Sequence, residues 1–175
     1  MDETVRALIA HHGLTPLPSE GTLYRATWRS PQPGAGTAML GLYCEQPLSR
    51  SLFHRLPVDE VWHFYGGDAL RLVLLHPGGR SEEVFLGPDF NTGQRVQFVV
   101  PAGTWQAGHV MARGRGRDRY ALFGCTMAPG FDSTMFEGGT RDVLLASHPD
   151  RAADIHQLAC DAAHVAMPRL PSETP

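Results

Sequence analysis

Short stretches in which large apolar side chains alternate with polar ones recur about every ten residues along most of the chain. Such stretches, separated by turns rich in Gly, Pro and Asp, are typical of the strands of a β-sandwich or β-barrel. We predict strands at 23–28, 38–45, 51–56, 61–66, 69–76, 83–86, 95–100, 105–111 and 120–127. Helical spacing of apolar residues occurs only near the two ends, where it predicts helices at 2–12 and 150–163. The pattern therefore predicts an all-β fold with short N- and C-terminal helices.

The length and composition fit a single domain without a membrane span. The chain has 175 residues, of which 42% are hydrophobic, and its formal net charge is −3. We expect one domain over residues 1–165, followed by a frayed tail over 166–175. No apolar run reaches the roughly 18 residues that a transmembrane helix needs, and the first residues do not resemble a signal peptide. We therefore expect no contact with a membrane.

The basic and sulfur-containing residues exclude several classes of protein. All 15 basic residues are arginine, so the chain has no lysine. P-loop nucleotide hydrolases, pyridoxal-phosphate enzymes and Schiff-base mechanisms need a lysine amine and are excluded. The three cysteines, Cys44, Cys125 and Cys160, show no C-x-x-C spacing, which argues against a disulfide framework or a structural zinc site. Such cysteines are typical of a reducing compartment, and we expect the protein to be cytoplasmic.

An arginine-rich stretch at 113–119 could bind phosphate or RNA. In a chain of negative net charge we interpret it as a solvated hairpin tip, and we predict no nucleic-acid partner. Gly34 and Gly36 begin like a dinucleotide-binding fingerprint, but the third glycine and a βαβ context are missing. We therefore exclude a dinucleotide site there.

The middle of the chain concentrates the side chains that can carry chemistry. His54, Glu60 and His63 lie close together in sequence, and imidazole with carboxylate can bind a divalent metal or transfer protons. In a strand Glu60, Trp62 and Phe64 share one face, whereas His63 points to the other face unless a bulge intervenes. His63 is then either an ordinary polar residue or a third member of the site. A carboxylate beside two aromatic side chains indicates a pocket, where it needs a partner or a raised pKa.

Several segments carry a family resemblance. They are YRATWRS at 24–30, FHRLPVDEVWHFYGGDAL at 53–70, VPAGTWQAG at 100–108 and GCTMAPGFDSTMFE at 124–137. Together they resemble the cupin superfamily, and in particular the single-domain cupin family 5, over about residues 5–160. This resemblance implies a double-stranded β-barrel, or jelly roll, with a pocket near His54 and Gln106. It also implies a homodimer.

The resemblance implies a metal site that this chain has only in part. The four positions that usually hold the cupin metal ligands are occupied here by His54, Leu56, Glu60 and Gln106. Leucine cannot bind a metal, and a glutamine carbonyl binds one weakly. We therefore expect either no cofactor or a weakly held divalent metal at His54, Glu60 and Gln106. The family's usual His-Pro-Glu-Gly-Gly motif is also altered here, to Leu-Pro-Ser-Glu-Gly at residues 17–21, and we assign this segment no role.

The candidate site residues fall into two groups. His54, Glu60 and His63 are the candidates for acid–base catalysis. The candidates for ligand binding are Trp62, Phe64, Trp105, Gln106, Phe131 and Asp132. We interpret Cys125 as a buried structural thiol, because its strand is apolar.

Three functions remain open at this point. Cupin family 5 resembles in fold the sugar-nucleotide epimerases, in which a pocket histidine is the general base beside a carbonyl. That implies a non-redox isomerase, epimerase or lyase in which His54 takes the proton and Glu60 tunes it or returns one. A pocket that binds a small acidic or aromatic metabolite without turnover is the second possibility. A metal-dependent enzyme with an incomplete ligand set is the third. In each of them the partner is a small molecule.

Overall fold

Two antiparallel β-sheets face each other and enclose most of the core. The computed structural model describes residues 3–111 and 119–173, so the arginine-rich stretch at 113–118 lies outside the described part. The first sheet contains six strands, in the order β1 (Thr15–Pro16), β2 (Leu23–Arg29), β3 (Thr37–Cys44), β10 (Tyr120–Met127), β5 (Glu60–Gly67) and β8 (Gln97–Val100). The second contains five, in the order β11 (Glu137–Gly138), β4 (Ser51–Arg55), β9 (Trp105–Val110), β6 (Leu70–Leu75) and β7 (Ser81–Leu86). The sheets do not close completely, but the arrangement confirms the predicted jelly roll.

Three helices flank the sheets: α1 (Glu3–His12), α2 (Arg141–Ser147) and α3 (Ala152–Leu158). Short 3₁₀ turns occur at Phe90–Thr92, Ser133–Met135, Pro149–Arg151, Ala162–His164 and Pro171–Glu173. Val5 of α1 packs on the outer face of the six-stranded sheet, beside Leu23 and Leu42. In the described part of the chain, no helix has the length and apolarity needed to cross a membrane.

The predicted strands all form, and each predicted boundary lies within two residues of the observed one. The predicted helix at 150–163 is shorter, because the chain leaves α3 after Leu158 and Cys160 bridges to Thr140. Helix α2 was not predicted, because its seven residues are too few to show a helical period.

Three aromatic side chains fill the centre of the core between the sheets. Phe123 lies 4.5 Å from the ring of Tyr43 and 4.8 Å from that of Trp62, centroid to centroid. All three are almost fully buried. Phe123 faces Gly41 across the β3–β10 pair, so its ring covers the place where a side chain at Gly41 would point. The aromatic cluster therefore depends on the missing side chain at position 41.

The C-terminal tail packs against the sheets through residue 173, where the sequence analysis expected it to fray from 166. Met167 and Leu170 are buried with Leu17 and Phe136 in a small apolar cluster. Glu173 accepts hydrogen bonds from Ser133. The apolar side chains and the carboxylate supply contacts that hold the segment in place.

We expect Gly41→Ala to destabilise the protein by about 1–3 kcal/mol, the usual cost of overpacking a well-filled core. A Cβ atom at position 41 would lie 2.4 Å from the ring of Phe123, which cannot move away because Tyr43 and Trp62 hold it. Thermal unfolding should show a lower melting temperature, by roughly 2–4 °C per kcal/mol for a chain of this size.

Gly66→Ala is the matched control. Gly66 also lies in a strand, but no heavy atom lies within 4 Å of the place its Cβ would occupy. We expect a change within about 0.5 kcal/mol, as for other uncrowded substitutions. Equal destabilisation by both variants would contradict the proposed role of Gly41.

Candidate functional site

A cavity of about 260 Å³ is lined by residues of both sheets, from β2, β3, β5 and β10 of the first and from β4 of the second. Its polar lining comes mainly from Glu20, His54 and Glu60. Apolar side chains that include Leu17, Met39, Leu56, Trp62, Phe131 and Phe136 form most of the remaining wall. The cavity therefore combines a few ionisable groups with a largely apolar surface, which is the usual composition of a small-molecule site.

His54 lies on β4 with one ring nitrogen fixed and the other directed towards a carboxylate. Its Nδ1 lies 2.8 Å from the carbonyl oxygen of Leu52. Because a carbonyl can only accept, Nδ1 carries a proton and donates it. The other nitrogen, Nε2, lies 3.8 Å from Oε2 of Glu20, and the ring stacks on Phe136 at a centroid distance of 5.3 Å. The imidazole is 3% exposed, so its orientation is held by packing as well as by hydrogen bonding.

Glu20 enters the cavity from the turn before β2. Its Oε1 accepts hydrogen bonds from the hydroxyls of Thr22 and Ser51, the second at 2.8 Å. Its backbone carbonyl accepts the N–H of Leu52, which ties the turn to β4. The turn needs two residues with positive φ, Ser19 at 63° and Gly21 at 99°. A left-handed conformation is uncommon for serine, so the backbone is strained where it directs Glu20 inward.

Glu60 is held by a closed set of hydrogen bonds at the start of β5. Its Oε2 accepts from the Gln106 amide at 2.7 Å and from the Trp62 indole at 3.1 Å. The same indole N–H lies 3.0 Å from Oε1 of Gln106. The three side chains therefore orient one another, and the Gln106 amide can have only one orientation, with its nitrogen towards Glu60.

Burial is the largest influence on the pKa of Glu60 and raises it above its usual range. A cationic His54 would lower this pKa, Glu20 raises it, and hydrogen bonds from Gln106 and Cys125 lower it. Burial also raises the pKa of Cys125 well above its ordinary value, and Glu60 adds to that shift. Glu60 therefore holds a proton to higher pH than an exposed carboxyl, and Cys125 remains a thiol.

Five predicted site residues belong to the cavity. His54, Glu60, Trp62 and Phe131 line it, and Gln106 donates a hydrogen bond to Glu60 from behind the wall.

His63 lies on the outer face of the first sheet. Its Nδ1 accepts an N–H from the Gln97 amide at 3.1 Å, and its Nε2 lies 2.9 Å from the hydroxyl oxygen of Thr126. The irregularity in the β5–β10 pairing falls after Phe64, too late to turn His63 inward. His63 is therefore not part of the cavity wall.

Three of the predicted ligand-binding residues also lie away from the cavity wall. Trp105 packs on the outer face of the second sheet, among α2 and α3, with the Arg55 guanidinium 4.4 Å from its ring centroid. Phe64 faces inward but packs against the core. Asp132 caps the 3₁₀ turn by accepting from the backbone N–H of Thr134 at 3.0 Å. Trp105, a predicted ligand-binding residue, is therefore not among the residues that line the cavity, because neighbours of Gln106 on β9 point to the opposite face.

Comparison with known proteins identifies the fold and the family. A family model described as "Cupin superfamily (DUF985)" matches residues 6–138. The chain belongs to this cupin family. A hypothetical protein from Leishmania major is 28% identical, with 89% of this chain and 98% of that chain covered and a TM-score of 0.81. A protein from Shewanella oneidensis is 29% identical, with 91% and 98% covered and a TM-score of 0.76. No curated protein matches the chain significantly.

A more distant cupin shows the shared fold. A cupin 2 conserved barrel domain protein from Rhodopseudomonas palustris is 16% identical, with 84% of this chain and 83% of that chain covered and a TM-score of 0.52. At this identity the likeness concerns the fold alone.

The residues of this cupin do not fit a firmly bound metal. Leu56 is part of the apolar wall, and the carbonyl of Gln106 points to the indole of Trp62. His54 and Glu60 remain as ligands at the four positions, fewer than the three protein ligands of typical catalytic metal sites. Within residues 3–111 and 119–173, no three His, Cys, Asp or Glu side chains are placed to hold a metal ion together.

The sequence pattern did not indicate Glu20, whose Oε2 lies 3.8 Å from Nε2 of His54. Glu20 lies in the altered segment at 17–21, where an acid followed by a glycine was the signal that the sequence offered. Its partner Ser51 is 31 positions away along the chain, so the contact could not be inferred from spacing. An irregularity in the β4–β9 pairing between Ser51 and His54 lets both side chains reach Glu20 from one strand.

We expect Glu60→Gln to become more stable relative to the wild type as the pH rises from 4 to 8. The raised pKa of Glu60 means that the folded state binds more protons than the unfolded state above the unfolded pKa. The stability of the wild type therefore falls as the pH rises through that window. Glutamine stays neutral and avoids this loss, so melting temperatures measured across the range should diverge in its favour.

Glu137→Gln, which alters an exposed carboxylate on β11, serves as the control and should show no such divergence. A constant difference between Glu60→Gln and the wild type at all pH values would contradict the raised pKa.

We expect Leu56→His combined with Gln106→His to create a metal site. Together with His54 and Glu60, the two new imidazoles complete a set of four nitrogen and oxygen ligands. After exposure to Ni²⁺ and dialysis, metal analysis should find about one ion per chain in the double variant and far less in the wild type. Stoichiometric nickel in the dialysed wild type would contradict the ligand argument.

Proposed function

We propose that this cupin binds a small carboxylic acid with an apolar body and catalyses a non-redox proton transfer on it, as an isomerase, epimerase or lyase. The observation that carries the proposal is the fixed tautomer of His54. Since Nδ1 donates to Leu52, Nε2 has a lone pair in the neutral ring and can accept a proton. Neutral imidazole is a suitable general base near pH 7.

The two carboxylates suit the two halves of such a reaction. When Nε2 takes a proton from a substrate carbon, the imidazolium that forms lies beside Glu20, whose negative charge stabilises it. Glu60, with its raised pKa, can supply a proton to the other end of the reacting group. In an isomerisation the proton goes back to carbon, and in an elimination it goes to the leaving group. Exchange with water then restores both side chains.

The size and walls of the cavity restrict the substrate. At about 260 Å³ it is smaller than the roughly 300–1,000 Å³ of sites for drug-sized ligands. The volume therefore favours a compact molecule over a nucleotide-linked sugar. Leu17, Leu56 and Phe136 contribute apolar surface, which favours an apolar body over a free sugar.

Arg29 supports an acidic group at one end of the ligand. It is the one arginine in the wall that the described residues form. Its guanidinium donates to two backbone carbonyls, those of Ser172 and Phe131, so neither of these bonds neutralises its charge. A carboxylate is the partner that a guanidinium binds best.

A binding pocket without turnover is the second candidate. The apolar wall and the fully hydrogen-bonded Glu60 would also serve a receptor for the same acids. The two candidates differ in whether a bound ligand exchanges its protons with solvent.

The test is solvent-deuterium exchange into a panel of small 2-oxo and 3-hydroxy acids, followed by NMR. We expect the wild type to incorporate deuterium next to the carbonyl or hydroxyl carbon. His54→Ala should lower the rate by roughly 10²–10⁴-fold, the usual contribution of a general base. Arg29→Ala should weaken binding of the same acid.

His63→Ala is the matched histidine control, because His63 lies on the outer face of the sheet. It should exchange at the wild-type rate. An equal loss in His63→Ala and His54→Ala would contradict the assignment. Acids that bind without any exchange would identify the pocket as a binding module.

A further inference from the structure

We infer that the C-terminal segment at 166–173 is the outer wall of the binding pocket and sets which ligands the pocket admits, an inference that rests on the proposed ligand-binding function. Leu170 and Ser172 line the cavity together with residues of both sheets. The family model ends at residue 138, so this wall comes from beyond the matched region. A segment outside the matched region gives the pocket a part that can differ among otherwise similar cupins.

Apolar contacts place the segment over the cavity. Leu170 is 3% exposed and Met167 is 8% exposed, and both pack with Leu17 and Phe136. Phe136 is also the ring on which His54 stacks. The same apolar surface therefore supports the catalytic imidazole on one side and the segment on the other.

One carboxylate fastens the segment. Oε1 of Glu173 accepts the backbone N–H of Ser133 at 2.5 Å, and Oε2 accepts the hydroxyl of Ser133 at 2.8 Å and the N–H of Leu170 at 3.1 Å. Ser133 begins the 3₁₀ turn that follows Phe131, itself a residue of the cavity wall. Hydrogen bonds to a charged acceptor are stronger than neutral ones, so Glu173 attaches the segment firmly to the turn at Ser133.

Further hydrogen bonds join the segment to the opposite wall. Arg29 on β2 donates from Nε to the carbonyl of Ser172 at 3.2 Å and from Nη2 to the carbonyl of Phe131 at 3.0 Å. Burial raises the pKa of the Tyr24 hydroxyl, and a hydrogen bond with the side chain of Ser172 partly opposes that rise. The residue proposed to bind the ligand's carboxylate thus also holds the segment.

Two of the three cysteines, Cys125 and Cys44, allow a direct test of whether the segment covers the cavity. Cys125 lines the cavity, whereas Cys44 packs near α1, away from it. We would react the protein with methyl methanethiosulfonate and follow each cysteine by peptide mass spectrometry. Glu173→Ala should speed the labelling of Cys125 by about tenfold or more, because it removes hydrogen bonds to a charged group. Leu170→Ala should do the same, because it removes a buried apolar side chain from the contact with Leu17 and Phe136.

Arg169→Ala is the control within the segment, since Arg169 is exposed and its Nη2 donates only to the backbone carbonyl of Glu173, at 3.2 Å, among the described residues. It should leave Cys125 labelling unchanged. Unchanged Cys125 labelling in both Glu173→Ala and Leu170→Ala would overturn the inference. An equal rise at Cys44 would also overturn it, because the segment would then support the whole fold instead of the pocket.

The effect of the segment on which ligands bind is tested separately, with straight-chain carboxylates from butanoate to decanoate. We expect thermal-shift titrations to show that Leu170→Ala moves the best-bound acid to a longer chain than in the wild type. An unchanged length preference would overturn the role in selection. Failure of every acid to bind either protein would instead contradict the proposed ligand class, while Cys125 labelling still decides whether the wall exists.

Discussion

Two carboxylates, Glu20 and Glu60, are buried in the wall of the cavity that His54 also lines, and their burial is the constraint to which the surrounding structure responds. A buried carboxylate without partners costs several kcal/mol in stability or loses its charge. The structure satisfies the two acids differently. Glu20 accepts hydrogen bonds from two hydroxyls and lies beside the imidazole of His54. Glu60 is enclosed by Trp62 and Gln106, and its desolvation favours the neutral form.

The hydroxyls that donate to Glu20 belong to Thr22, just before β2, and to Ser51 on β4. Thr22 and Ser51 each have one hydroxyl proton and give it to Glu20, so the hydroxyl of Tyr43 must donate to Ser51. Tyr43 is part of the aromatic cluster with Phe123. The charge on Glu20 is therefore supported by a directed chain of hydroxyls that begins in the centre of the core. A change in core packing can for this reason alter the site without touching a residue that lines it.

The alternation of residues sufficed to predict the sheets and the inward direction of Glu60 and Trp62, because strand geometry is local. It did not suffice where pairing departs from regularity. The β4–β9 irregularity brings Ser51 and His54 to one carboxylate, and nothing in the residues themselves indicates it. The same alternation, applied to β9, shows why Gln106 and Trp105 cannot both belong to the pocket. The inward position of Glu20 depends on a turn and on a contact with a residue distant in sequence. Neither can be inferred from the spacing of residues in a single sequence.

Gln106 shows how one substitution changes the chemistry that a fold can support. At a position where the family resemblance implies a histidine ligand, a glutamine uses its carbonyl for Trp62 and its amide for Glu60. The side chain that would hold a metal therefore orients an acid instead. Leu56 contributes apolar surface to the same cavity wall, and burial is the largest influence that raises the pKa of Glu60. The same pair of residues therefore removes two ligand positions from a cavity in which Glu60 is a buried carboxyl with a raised pKa.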